Sequence, residues 1–181
     1  MIKKILLGLV AVFAILIVAL LVAVSTRPND FRVSRSAVIP SSPAVVFGNV
    51  NDLHKWEAWS PWAKLDPNSK VTFAGPPEGA GSSMAWAGNA EVGEGKMTIT
   101  ESKPGELILM KLEFIKPFEG TSTTEFTFKP DAGGTLVTWT MSGKNNFIGK
   151  AFSLLVDCDK MMGGQFEQGL DNLKKVVSAQ P

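Results

Sequence analysis

The sequence predicts an α+β domain behind a single membrane-spanning helix, and three observations lead there. Twenty consecutive positions, Ile5 through Val24, carry no charge and are almost wholly apolar. From Lys70 to Ser142 short runs alternate apolar and polar residues between Gly- and Pro-rich breaks, the period of strands. Beyond Ile148 the apolar residues recur at intervals near three and four, the period of a helix.

As a helix rising roughly 1.5 Å per residue, residues 5–24 reach about 30 Å, the thickness of a bilayer's hydrocarbon core. Lys3 and Lys4 precede the run and Ser25-Thr26-Arg27-Pro28 follows it. The rival reading is a cleaved signal peptide, with the two lysines as its charged start and Ala23-Val24-Ser25 as a cleavage site. Signal-peptide apolar cores run about 7–15 residues, shorter than this one. The expected organisation is a cytoplasmic N-terminus over 1–4, an anchor over 5–24, a linker over 25–30 and one domain over 31–178. Lys3 and Lys4 place the N-terminus inside, although Arg27, Arg32 and Arg35 beyond the span weaken the charge asymmetry. The expected location is an inner (cell) membrane, crossed once, with the domain on the periplasmic or extracellular side.

The elements follow in order. Arg27-Pro28 stops the first helix. Phe31 to Ile39 reads as a strand with Phe31, Val33, Ala37 and Ile39 on one face, interrupted by Arg35. Ser41-Ser42-Pro43 is a helix start, a hydroxyl cap with proline in the first turn, and Val46, Phe47 and Val50 form its apolar stripe. Asn51-Asp52 closes that helix and opens a second short one through Trp56 and Trp59, ended by Ser60-Pro61. Six strands are then expected over 70–74, 82–87, 96–102, 106–114, 121–129 and 135–142, and their short connections make an antiparallel meander. One face collects Met84, Trp86, Met97, Ile99, Ile108, Met110, Leu112, Phe114, Phe126, Phe128, Val137, Trp139 and Met141. The other carries Thr98, Thr100, Lys111, Glu113, Glu125, Thr127, Thr138 and Thr140, so one side is buried and the other wet. Ile148, Phe152, Leu155, Met162, Phe166, Leu170, Leu173 and Val177 predict one long terminal helix packed on the sheet. Gly163-Gly164 is expected to bend it.

Composition excludes several functions. The formal net charge is +1 with both signs interspersed, which gives no footprint for nucleic acid. One cysteine, Cys158, allows no internal disulfide, and with a single histidine the chain lacks the ligands of a transition-metal site. No phosphate-binding loop, Ser-His-Asp set or zinc spacing occurs, so neither a cofactor nor a metal is expected.

The order of strand, two short helices, six strands and helix is joined by three marks: Asn51-Asp52-Leu53 with Trp56-Glu57-Ala58-Trp59-Ser60-Pro61-Trp62, Gly75-Pro76-Pro77-Glu78-Gly79-Ala80-Gly81, and Phe166-Glu167-Gln168-Gly169-Leu170-Asp171-Asn172-Leu173-Lys174. Together they resemble the START-like SRPBCC superfamily, and within it the polyketide cyclase/dehydrase and lipid transport group, over roughly Phe31 to Val177. The resemblance implies a helix-grip fold, in which the sheet wraps a long C-terminal helix and leaves a hydrophobic cavity between them. It does not imply one reaction.

The expected function is a membrane-anchored domain that binds a hydrophobic small molecule or lipid in that cavity, with no chemistry of its own. The expected lining is Trp86, Met97, Ile99, Met110, Leu112, Phe126, Trp139, Met141, Phe152, Leu155, Met162 and Phe166. Met84, Met97, Met110, Met141, Met161 and Met162 point to a plastic pocket, since methionine adapts to varied apolar partners. The indole N–H groups of Trp86 and Trp139, if buried, call for acceptors. Two alternatives stand beside this reading. One is a cyclase-, dehydrase- or hydrolase-like enzyme with Glu101 as acid/base, directed inward if no bulge intervenes. The other is an interaction module whose core is filled by its own side chains, favoured if the sheet–helix gap falls below about 300 Å³. Trp56, Trp59 and Trp62 are expected to staple the short helices to the sheet, and His54 and the Asp157–Lys160 stretch to face solvent.

Overall fold

In the computed structural model, which describes residues 2–179, α1 (Ile2–Ser25) leads by a short turn into β1 (Asp30–Ile39). Hydroxyls of Ser25 and Thr26 donate back to the carbonyls of Val22 and Ala23 and close the helix. The side chains of α1 project away from the domain except in its last turn, where Val24 is buried. Then follow α2 (Pro43–Asn51), a single 3-10 turn (Leu53–Lys55) and α3 (Trp56–Trp59). The meander runs β2 (Lys70–Ala74), β3 (Ser83–Ala87), β4 (Glu94–Lys103), β5 (Leu107–Lys116), β6 (Gly120–Asp131) and β7 (Gly134–Lys144). Two helices close the chain, α4 (Phe147–Phe152) and α5 (Cys158–Ser178).

The seven strands form one antiparallel sheet in the order β1-β7-β6-β5-β4-β3-β2. β1 closes back on the last strand, which puts the linker from α1, the start of β1 and the end of β7 together: Asp30 pairs with Lys144. We call this the anchor end, after the role expected of α1. At the opposite, cap end, Ile39 pairs with Thr135 and α2 lies across the strands. Helix α5 starts near the anchor end and runs along the inner face of β1 toward the cap end.

Local chemistry accounts for most of these boundaries. Pro43 occupies the first turn of α2, but the Ser42 hydroxyl caps nothing; the expected hydroxyl cap is replaced by Ser42 backbone carbonyl bonds to Val45 and Val46 N–H. Asp52 accepts from His54 N–H and starts the 3-10 turn. His54 is half exposed, its Nδ1 3.0 Å from Asp52 and its ring stacked on Phe73 at 4.0 Å.

The expected single terminal helix is instead two. Asn146 accepts from Gly149 N–H to open α4, and Asp157 accepts from Lys160 N–H to open α5. A capping carboxylate offers the backbone a new start, which competes with continuation through the 153–157 turn. The glycine pair does not interrupt α5, which is continuous through Gly163 and Gly164. Gly163 serves close approach: a Cβ there would lie 2.0 Å from the Arg35 guanidinium. Arg35, the residue that interrupts the apolar face of β1, lies against the α5 backbone and donates to Asp159 at 2.9 Å and Glu167 at 2.7 Å. Asp159 is thus part of a clamp between helix and sheet and not only a wet-face residue.

That clamp is expected to weaken in acid. The hydrogen bond from Arg35 holds the Asp159 carboxyl below its ordinary range, and the Asp159 hydrogen bond raises Arg35. A depressed carboxylate contributes stability above its unfolded pKa of about 3.9 and loses it as pH falls through the folded value. Thermal unfolding followed from neutral pH down to about pH 3 should therefore show an acid-dependent fall that is reduced in Arg35→Met. The difference should be modest, because both carboxylates are more than half exposed.

Candidate functional site

The inner face of the sheet divides into three levels. At the cap end Val46, Phe47, Val50 and Leu53 pack on Ile39, Ile108, Phe128 and Val137, with Leu173 and Val177 of α5 closing the side; all are buried. The middle level is aromatic. Trp139 lies between Phe126 at 4.8 Å and Phe166 at 4.4 Å, stacked on the latter within 9°. Trp59 and Trp62 meet it in T-shaped pairs at 5.7 and 5.9 Å, the geometry that a ring quadrupole favours. Trp56 and Trp59 donate their indole N–H to the carbonyls of Val50 and Asn49, fastening α2 and α3 over the sheet as stapling residues.

The anchor-end level is different. Register aligns Met110, Thr124 and Met141 in one row across β5, β6 and β7. The next row, one step nearer the anchor, runs Met84, Met97, Leu112, Ser122 and Gly143. Trp86 and Phe114 lie beyond it, 6.4 Å apart edge-on. Met97, Met110 and Met141 are buried, whereas Met84, Trp86, Leu112, Phe114 and Met162 are only partly covered. A methionine layer thus separates the aromatic stack from a partly covered apolar rim on the anchor side.

The sequence-derived lining residues fall into three places accordingly. Met97, Ile99, Met110, Phe126, Trp139, Met141 and Phe166 are core. Trp86, Leu112 and Met162 are on the open rim. Phe152 and Leu155 are on neither, because the chain leaves the α5 axis in the 153–157 turn and both side chains stand exposed outside the grip. Met161 also faces out. The expected enclosed cavity is occupied through its cap and middle levels by these core side chains. Two shallow, open surface depressions lie elsewhere: one along α1 around Ile15 and Val18, the other at the strand ends around Phe31, Arg32 and Lys144.

The indole groups also divide. Trp86 donates to the Val92 carbonyl at 3.2 Å. Trp139, 2% exposed, has a buried Nε1–H with no acceptor among the described residues. Sequence reasoning anticipated the need for a partner but could not see that the surrounding rings provide none.

Glu101 is turned away. A register shift between Ile99 and Glu101 inserts Thr100 as an extra residue, and Ser102 takes the inward place opposite Ile108. Ser102 donates to Asn51 at 2.7 Å, while Glu101 pairs with Lys103 at 2.6 Å on the outer surface. That hydrogen bond raises the Lys103 pKa. Among the described inward positions of the strands, Arg35 is the ionisable one, and its donors are already committed. No group of three or more His, Cys, Asp or Glu is placed to hold a metal among the described residues.

The fold recurs in solved proteins. A Chromobacterium violaceum protein aligns at 18% identity over 84% of this chain and 100% of its own, with a TM-score of 0.58. A Mesorhizobium loti protein aligns at 15% identity over 83% and 99%, TM-score 0.61. The Aha1 dimer of Colwellia psychrerythraea aligns at 15% over 82% and 97%, TM-score 0.59. At these identities the likeness concerns the helix-grip fold alone. No curated protein sequence matches the chain. A family model described as polyketide cyclase / dehydrase and lipid transport matches residues 30–178, from the first residue of β1 to the last of α5, and the chain belongs to that family.

Proposed function

We propose that this protein is a membrane-anchored binder of a hydrophobic small molecule or lipid, which enters the grip from the anchor end. The observation that carries this reading is the methionine layer, in which Met97, Met110 and Met141 are gathered by register between a partly covered apolar rim, which includes Met84 and Met162, and the unpartnered Trp139 N–H. Unbranched thioether side chains repack at low cost, so an interior that is closed when empty can open for a ligand. A buried N–H without an acceptor costs about 1–3 kcal/mol, and a ligand oxygen that reached Trp139 would recover that bond. Apolar burial at about 25 cal/mol per Å² would supply the rest of the affinity. In this reading α1, long and apolar enough to cross a membrane, is the anchor, with the N-terminus inside and the domain on the outer side of the inner membrane.

Native mass spectrometry of the detergent-extracted chain, with lipid extraction of the bound material, tests the reading. A reproducible adduct is expected, and Leu112→Asp should abolish it by placing a charge on the rim. Trp139→Phe should retain the fold but weaken binding about three- to tenfold, the worth of one hydrogen bond. A clean apo mass across preparations would sink the proposal and leave the interaction module, which the filled cap and middle levels favour. The enzymatic alternative has no support from Glu101, whose carboxylate faces away from the grip.

A further inference from the structure

The two ends of the sheet differ in what their connections expose. At the cap end the turns are Gly75-Pro76-Pro77-Glu78, Pro104-Gly105 and Asp131-Ala132-Gly133, without a bulky apolar side chain. At the anchor end α4 and the turn after it expose Phe147 (58%), Ile148 (50%), Phe152 (47%) and Leu155 (88%), and the β5–β6 hairpin exposes Phe118 (60%). None of these side chains contributes to the buried core.

Helix α4 is held where α1 ends. The last part of α1 packs against it, Asn145 donates to the carbonyls of Asn29 at 2.7 Å and Pro28 at 3.3 Å, and Lys150 donates to the Asn29 side chain at 2.6 Å. With the connection pinned, α4 cannot be far from the level at which α1 leaves a bilayer. Arg27, Lys144 and Lys150 accompany the apolar side chains there, the combination that suits a helix lying at the headgroup boundary.

We propose that the α4 turn and the tip of the β5–β6 hairpin insert into the same bilayer that α1 spans, holding the rim of the grip against the membrane surface. The occupant of this apolar surface is thus a phospholipid bilayer. The inference rests on the reading of α1 as a membrane anchor. It also explains why Phe152 and Leu155 keep the helical apolar spacing without facing the sheet.

Site-directed spin labelling of the full chain in phospholipid nanodiscs tests it. In a Cys158→Ser background, nitroxides are placed by Leu155→Cys and Phe118→Cys, with Phe13→Cys in α1 and Glu78→Cys at the cap end as references. Oxygen against nickel-complex accessibility should put the labels at 155 and 118 about 5–10 Å below the headgroup boundary, the depth of interfacial helices. Position 13 should be deep in the acyl region and position 78 in water. An aqueous label at 155 with a lipid-immersed label at 13 would overturn this inference and leave the anchor intact. An aqueous label at 13 would overturn both. Because Leu155, Phe118 and Glu78 are exposed, their substitution leaves the core untouched.

Discussion

Truncating Trp139 to alanine is expected to cost about 3–5 kcal/mol of folding stability, the range for removing a buried aromatic side chain. The ring touches every part of the middle level: Phe126 and Phe166 on its faces, and Trp56, Trp59 and Trp62 around them. Those neighbours come from β6, α5, α3 and the segment after it, so no single shift of one element can fill the space. The cavity term should therefore add to the lost transfer energy. Trp139→Phe is expected to cost much less, because it leaves a ring in place and removes the indole N–H that lacks an acceptor. Denaturant titration of the detergent-solubilised chain should show a lower midpoint for Trp139→Ala with an unchanged slope, the sign of a stability change without loss of compactness. Equal losses for the alanine and phenylalanine variants would contradict the account.

The second large effect separates three glycines of one helix. Gly164→Ala should stabilise by up to about 1 kcal/mol, since its Cβ meets no atom within 4 Å and alanine is the better helix former. Gly169→Ala should destabilise by about 1–3 kcal/mol despite the same helical gain. Its Cβ would fall 2.7 Å from the Trp139 ring and 3.2 Å from Pro61. The tryptophan is wedged between two phenylalanines and the proline ring is rigid, so neither neighbour can retreat. Gly163→Ala should fall between them. There the obstacle is the far end of the Arg35 side chain, which can swing out at the expense of its bonds to Asp159 and Glu167. The ranking Gly164, Gly163, Gly169 in thermal midpoints checks this, and a stabilised Gly169→Ala would refute it.

The alternation in 70–142 contained the sheet almost completely. Strand pairing follows from short connections, and the inward set from Met84 to Met141 holds throughout. The register slips at two points of β4, between Glu94 and Gly95 and at Thr100, and the second changes which side chains face inward. A bulge is a matter of which carbonyls and amides meet across two strands, and Leu109 facing Glu101 is not written in the spacing of either strand. The added residue at Thr100 moved the preferred acid/base candidate, Glu101, from the interior to the surface.

The terminal region shows the same division. Ile148, Phe152 and Leu155 continue the apolar period of Met162, Phe166 and Leu170, so periodicity merges them into one helix. Asp157 carries the opposite signal as a cap, and the cap prevailed because ending one helix and starting another lets α4 stay tied to Asn29 through Lys150 while α5 follows β1. Gly163 and Gly164 look identical in sequence, yet one accommodates a guanidinium and the other faces open space.

Local patterning was enough to establish the apolar span, the strand-rich domain, its wet and dry faces and its family, because each depends on residues a few positions apart. Whether the grip is hollow, which methionines share a row, where Trp139 finds no acceptor and which apolar residues stay uncovered all depend on contacts between distant segments. Volume is filled, and polar groups are satisfied or stranded, only when those segments meet.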